Sequence, residues 1–224
     1  MTRSRDLDSL YRTRFREGDR PAKDAIWEVL CRGFFQRYVR PDDTVLDIGV
    51  GFGEFLSHIR CARRIAVDLA PLSGRHLPAG TVEINASSDV LSQHVAHESV
   101  DVVFCSNFFE HLADKASFLA TLDEIKTVLK PGGQLLVLQP NIRLIGGAYW
   151  DFVDHHLPLT DRTLVEAAES TGFRTIEVIP RFLPYTTRSA LPQSPWLVRM
   201  YLAVRPAWWF LGKQTFFVAR KPAE

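Results

Sequence analysis

Val45-Leu46-Asp47-Ile48-Gly49-Val50-Gly51-Phe52-Gly53-Glu54-Phe55 reads as a buried strand, a turn with three glycines at alternate positions and the first turn of a helix. Glycine supplies positive φ and has no β-carbon, so a flat ligand can lie directly on such a turn. In an open α/β sheet, ligands bind in the crevice at the carboxyl ends of the strands. Glycine turns also occur in dinucleotide and P-loop proteins, so the turn alone does not name its ligand. Asp47, just ahead of Gly49, discriminates better. A carboxylate at the mouth of the loop repels a pyrophosphate and attracts a cation. Neither Gly-Lys-Ser nor Gly-Lys-Thr follows, which argues against Walker-type phosphate binding. Asp68 closes the next strand, where an acid can accept hydrogen bonds from ribose hydroxyls.

From Thr44 onward short apolar runs alternate with turns and longer amphipathic segments, the pattern of a parallel sheet covered by helices. The strand candidates are Thr44–Ile48, Arg64–Asp68, Thr81–Ile84, Val100–Cys105 and Gln134–Leu138, each apolar enough to be buried on both faces. Ahead of them, Ile26, Val29, Leu30, Phe34 and Phe35 recur at helical spacing over Ala22–Tyr38, a run broken by Pro41, Asp42 and Asp43. Asp114 caps a helix carrying Phe118, Leu119, Leu122, Ile125, Val128 and Leu129, stopped by Pro131-Gly132-Gly133. A helix over Asp161–Thr171 has Thr160 as its cap and Gly172 to end it. Thr175–Ile179 and Gln214–Ala219 are two further strands. The stretch of about thirty residues between them is long for a plain loop and is read as an insertion with structure of its own.

With 224 residues and ordinary apolar content, a single domain is the expectation. A formal charge of +1 gives no field favouring nucleic acid, and no nucleic-acid partner is expected. The first residues alternate Arg, Asp and Ser, and the apolar runs are too short for a bilayer, so neither secretion signal nor anchor is expected. Cys31, Cys61 and Cys105 are odd in number and far apart, which points to reduced thiols in a cytoplasmic protein.

On these residues the chain resembles the class I S-adenosylmethionine-dependent methyltransferase family from about Asp42 to Phe173 and more loosely to its end. VLDIGVGFGEF resembles the first motif, AVDLAP the ribose acid, SVDVVFCSNFFEHL the fourth strand and its turn, and LKPGGQLLVLQPN the fifth strand. The resemblance implies an α/β Rossmann-like seven-stranded sheet in the order 3-2-1-4-5-7-6, strand 7 antiparallel, with helices on both faces. It implies S-adenosyl-L-methionine as cofactor, held by Asp47, Gly49, Gly51, Gly53, Asp68, Leu69, Ser87, Ser88, Ser106 and Asn107. The third motif departs from the family: Ala86-Ser87-Ser88 stands where an acid and a small residue contact adenine, and Asp89 is displaced. Divided further, residues 1–40 form an N-terminal helical lid, 41–182 the core, 183–213 an aromatic cap and 214–220 the last strand.

Methyl transfer from a sulfonium needs alignment and exclusion of water, plus a base where the acceptor is protonated. Asn141, Arg143, Tyr149, Trp150, Asp151, Asp154, His155 and His156 combine aromatic walls with polar groups beyond the fifth strand, a mixture suited to a hydroxylated acceptor such as a sugar. Asp154-His155-His156 is the expected base region, since a carboxylate beside a histidine fixes its tautomer. Anchoring the loop is the competing role for both histidines. Glu110 and His111 border the cofactor by resemblance, with His111 a second catalytic candidate against a structural role at a helix start. Some quinone-type O-methyltransferases hold a divalent metal near Glu-x-x-Glu-His; Asn107 occupies the first of those positions, so no metal is expected.

Pro192, Pro195, Trp196, Tyr201, Pro206, Trp208, Trp209 and Phe210 fill the late insertion, with Arg188, Arg199, Arg205 and Lys213 among or beside them. Such a segment can cap an acceptor pocket, dock on a membrane carrying a lipid-linked acceptor, or pack on the sheet or a second subunit. Leu7, Leu10, Tyr11 and Phe15 among Arg3, Arg5, Arg12, Arg14 and Arg16 read either as an amphipathic lid or as a basic tail. The leading function is methylation of a hydroxyl, or else a carbon or amine, of a small or lipid-linked metabolite, and the overall pattern resembles bacterial methyltransferases of cell-surface polysaccharide or secondary-metabolite pathways. An NAD-dependent oxidoreductase and a non-catalytic cofactor-binding protein are the alternatives.

Overall fold

Successive side chains of β1 (Thr44–Ile48) face opposite sides of the sheet, and this alternation sorts the core into two layers. Leu46 and Ile48 join one buried cluster with Phe118, Leu122 and Leu164, while Val45 joins the other with Phe35, Phe55 and Phe104. The computed structural model describes residues 20–73, 75–185 and 194–223. Its strands are β1, β2 (Arg63–Asp68), β3 (Val82–Asn85), β4 (Val100–Ser106), β5 (Leu129–Pro140), β6 (Arg174–Leu183) and β7 (Gln214–Arg220). They form one sheet in the order β3-β2-β1-β4-β5-β7-β6, with β7 antiparallel to both β5 and β6, as the resemblance implied.

Helices α1 (Arg20–Gly33), α2 (Glu54–His58), α3 (Lys115–Val128), α4 (Ile142–Ile145), α5 (Asp161–Ser170), α6 (Pro195–Ala203) and α7 (Arg205–Leu211) complete the described fold. Asp114 caps α3 by accepting from the Ser117 amide at 2.8 Å. Thr160 caps α5 reciprocally with Thr163, and Gly172 takes φ +84° beyond its end. Both caps and the terminating glycine fall where expected.

Several expectations change. The run Ala22–Tyr38 is not one helix, because α1 ends at Gly33 and a 3-10 turn covers Phe35–Tyr38. The break carries Phe34 and Phe35 together into the core, at 3% and 0% exposure. Pro131-Gly132-Gly133 lies within β5 rather than stopping a helix, and α3 already ends at Val128. The Gly132 amide donates to the Lys221 carbonyl and the Lys221 amide to Gly133, which binds this turn to the end of the chain. Strand β3 is not buried on both faces: it is the sheet's edge, and Val82 and Glu83 are exposed.

Residues 1–19, which carry the lid-or-tail reading, lie outside the described residues, as do Arg188 and Pro192 of the insertion. One face of the described N-terminal segment packs into the core. Trp27 of α1 meets Phe55 and Phe104 edge-on with ring centroids 6.5 and 6.2 Å apart. In the insertion, Trp208 is buried against Phe34 and Phe182, with its Nε1 donating to the Tyr201 carbonyl. Part of the expected cap therefore serves as hydrophobic core.

Candidate active site

The glycine loop follows β1, whose register sets Asp47 beside Ala66 of β2 and Phe104 of β4. Gly49, Gly51 and Gly53 take φ of +69°, +57° and +95°. At Gly49 the conformation is doubly enforced, since a β-carbon would come within 2.6 Å of Phe108 Cδ2. Phe108 belongs to the turn after β4, so the two turns close against each other. Gly53, in the left-handed region, starts α2 beneath the His76 carbonyl.

Asp47 is 3% exposed. Burial first, and then the nearby carboxylates of Glu54 and Asp68, push its pKa well above the usual carboxylate range, with Arg75 opposing the rise. Three acids thus face one crevice, a setting that favours a bound cation over a phosphate. Glu54 also pairs with Lys23 at 2.9 Å. Asp68 accepts from the Ala70 amide at 2.9 Å and from Arg75 Nη1 at 2.7 Å. The same Arg75 nitrogen donates to the Gly51 carbonyl, so one guanidinium spans the glycine loop and the ribose acid. Sequence reading missed Arg75, which lies outside every motif.

Leu69 is exposed at the end of β2 and Ser87 is half-buried, both consistent with a cofactor edge. Ser88 is turned elsewhere: it is buried, and its hydroxyl lies 2.8 Å from Thr121 Oγ1 of α3. Its hydroxyl is engaged in this packing hydrogen bond. Ser106 and Asn107 follow at the end of β4, with Asn107 at φ +48° and its amide donating to the Leu138 carbonyl at 2.8 Å. Asparagine tolerates that left-handed conformation better than most residues.

Beyond β4 and β5 a second group assembles. The amides of His156 and Leu157 both donate to the Glu110 carbonyl, at 2.8 and 3.1 Å, fastening the loop after α4 to the turn after β4. Glu110 is 1% exposed, its pKa is raised by burial, and its carboxylate accepts from Gln139 Nε2 at 3.0 Å. His111 Nδ1 lies 2.9 Å from the Asp154 carbonyl oxygen and 3.3 Å from its carboxylate. His155 Nδ1 lies 2.8 Å from the Tyr149 carbonyl, and the two imidazoles are 5.1 Å apart. Phe152 stacks on His155 at 5.0 Å, and Tyr149, fully buried, donates its hydroxyl to the Leu157 carbonyl.

His111, Asp154 and His155 are thus brought together, whereas His156 is exposed. Asn141 and Arg143 do not join them. Asn141 is buried, caps α4 and donates to Asp161 and Thr215, and Arg143 pairs with Asp161. Trp150 and Asp151 are exposed. Glu110, His111 and His155 together offer donors that could hold a metal ion.

A sheet of this order, with a glycine loop and two acids at the ends of its first two strands, defines a Rossmann-like methyltransferase architecture. The chain belongs to the methyltransferase domain family, whose model matches residues 18–178, and S-adenosylmethionine is its methyl donor. It is 29% identical over 174 residues to a demethylmenaquinone methyltransferase of Symbiobacterium thermophilum, covering 70% of this chain and 68% of that protein. Among solved structures it is similar to the chain described as a methyltransferase in a Haloferax volcanii complex with the Trm112 activator. That match has a TM-score of 0.66 and 17% identity and covers 95% and 97% of the two chains. It is also similar to a SAM-dependent methyltransferase of Archaeoglobus fulgidus, with a TM-score of 0.62, 21% identity and coverage of 87% and 92%. At these identities the structural matches speak to fold.

Proposed function

We propose that this methyltransferase acts on a hydroxyl oxygen of a sugar-like, lipid-linked or secondary-metabolite acceptor, with the imidazoles of His111 and His155 serving as proton acceptors. One observation carries the reading: each ring has its Nδ1 against a backbone carbonyl. A carbonyl only accepts, so Nδ1 carries the proton and Nε2 of the neutral ring keeps its lone pair. The Asp154 carboxylate, 3.3 Å from His111 Nδ1, stabilises the imidazolium formed when Nε2 is protonated. The cofactor half of the pocket rests on Asp47, Asp68 and the three glycines. His111→Gln and His155→Gln are expected to lower the rate of methyl transfer by about a hundredfold or more, with S-adenosylmethionine affinity retained. Unchanged turnover in both variants, or transfer to amines but to no hydroxyl, removes the reading.

A lipid-linked acceptor reached at a membrane surface is favoured by the exposed aromatics of α6 and α7. Trp196, Trp209 and Phe210 are 64%, 70% and 78% exposed, among Arg199 and Arg205. Aromatic side chains beside basic ones suit the headgroup boundary of an anionic bilayer. The Symbiobacterium relative is itself named for demethylmenaquinone. Among the described residues no helix is long and apolar enough to cross a membrane. Co-sedimentation with anionic vesicles at low salt tests this reading, and a chain left wholly in the supernatant counts against it.

A further inference from the structure

We propose that Glu110, His111 and His155 form a binding site for a divalent transition-metal cation at the acceptor edge of the crevice. One donor atom from each residue lies within 4.8 Å of the others. A tetrahedral zinc with ligands at about 2.1 Å sets its donors about 3.4 Å apart, so the three groups would close by up to about 1.4 Å on binding. The grouping comes from two segments distant in sequence, joined by the hydrogen bonds that the His156 and Leu157 amides donate to the Glu110 carbonyl. Asn107 argued against a metal in a reading confined to one segment; His155 supplies the donor that segment lacks.

The surroundings are those of metal ligands. Both histidines hold Nδ1 against a backbone carbonyl, which orients each ring and leaves Nε2 as the donor. Gln139 holds the Glu110 carboxylate through a 3.0 Å hydrogen bond. That carboxylate is buried, and among the described residues no lysine or arginine forms an ion pair with it. A buried acid either keeps its proton or gains compensating charge, and a cation between it and two imidazoles provides the latter. Two nitrogens and one oxygen suit zinc, cobalt, ferrous iron or manganese better than magnesium or calcium. A cation on Nε2 takes the lone pairs that the proton-acceptor role uses, so in the loaded protein it would polarise an acceptor oxygen in place of an imidazole base; that use rests on the hydroxyl reading above, and the binding does not.

The test is titration of cobalt(II) into the chelator-stripped full chain, free of any polyhistidine tag, followed by its visible ligand-field bands. Bands that saturate at one cobalt per chain are expected, with binding weakened about tenfold to a hundredfold in Glu110→Gln and His155→Gln. His156→Gln is expected to bind as the parent does. As a check independent of spectral intensity, zinc should raise the thermal midpoint of the parent and not that of Glu110→Gln, a variant that keeps the side chain's shape. Absence of bands, or bands of equal affinity in the parent and both variants, overturns the site. Neither readout needs turnover, so an acceptor that proves not to be a hydroxyl overturns the previous reading without altering this result.

Discussion

Arg75 Nη1 lies 2.7 Å from Asp68 Oδ2 while also donating to the Gly51 carbonyl, so the acid assigned to the cofactor ribose is already engaged. Both side chains are mostly shielded, which makes the pair stronger than a surface contact. A ribose must therefore share or displace the guanidinium. Arg75→Met is expected to bind S-adenosylmethionine about threefold to tenfold more tightly, by removing that competition. Calorimetry checks it. Weaker binding in the variant would make Arg75 a cofactor contact instead of a competitor.

Asp47 sets stability against binding. Its pKa is raised by burial, so the ligand-free fold holds the proton to higher pH than an ordinary carboxylic acid does. The corresponding stabilisation is present at pH below the ordinary carboxylate value and is lost as pH rises through the raised one. Cofactor binding runs the other way, because the ionised carboxylate attracts the cation. Asp47→Asn should raise the thermal midpoint of the ligand-free chain above that pH and weaken S-adenosylmethionine about tenfold or more. The parent's affinity should fall as pH drops through the raised value, and the variant's should not. Matching pH profiles of affinity would exclude Asp47 as the titrating group.

The glycines of the loop differ in what they protect. An alanine β-carbon at Gly49 comes within 2.6 Å of Phe108, in addition to the cost of φ +69°. At Gly51 the nearest atom, Glu54 Oε2, is 3.8 Å away, so conformation is the main penalty. Gly49→Ala is expected to lose about 2–4 kcal/mol of stability and Gly51→Ala about 1 kcal/mol. Both should impair cofactor binding. Urea unfolding of the two variants separates the effects, and equal losses would mean that Phe108 simply moves aside.

The loop was legible because its information is local: an acid, three alternating glycines and a helix start fall within one run of chain. The strand order was legible for a different reason, since the motifs occur in a family's sequence. Other features depended on distance. Arg75 reaches across a loop with no periodicity, and nothing in its neighbours marks it as a partner of Asp68. His155 and His156 are adjacent on an irregular segment, so no repeat says which is buried; the fold buries His155 and leaves His156 exposed. The hydrogen bond of Ser88 to Thr121 was not legible because Thr121 lies on another element. The exposure of β3 follows from its edge position, which a strand's own composition does not encode.

The aromatic insertion makes opposite predictions at adjacent positions. Trp208 is buried and touches Phe34 and Phe182 with ring centroids 5.8 and 5.1 Å apart. Trp208→Ala should cost about 3–5 kcal/mol, by cavity formation and lost apolar burial. Trp209 and Phe210 are 70% and 78% exposed, so Trp209→Ala and Phe210→Ala should change stability by about 0.5 kcal/mol or less. If these two rings meet a bilayer, the double variant should also lose vesicle binding while keeping the parent's unfolding midpoint. Retained vesicle binding in a stable double variant would move any membrane contact away from α7, and a large stability loss would show that the rings are covered in solution.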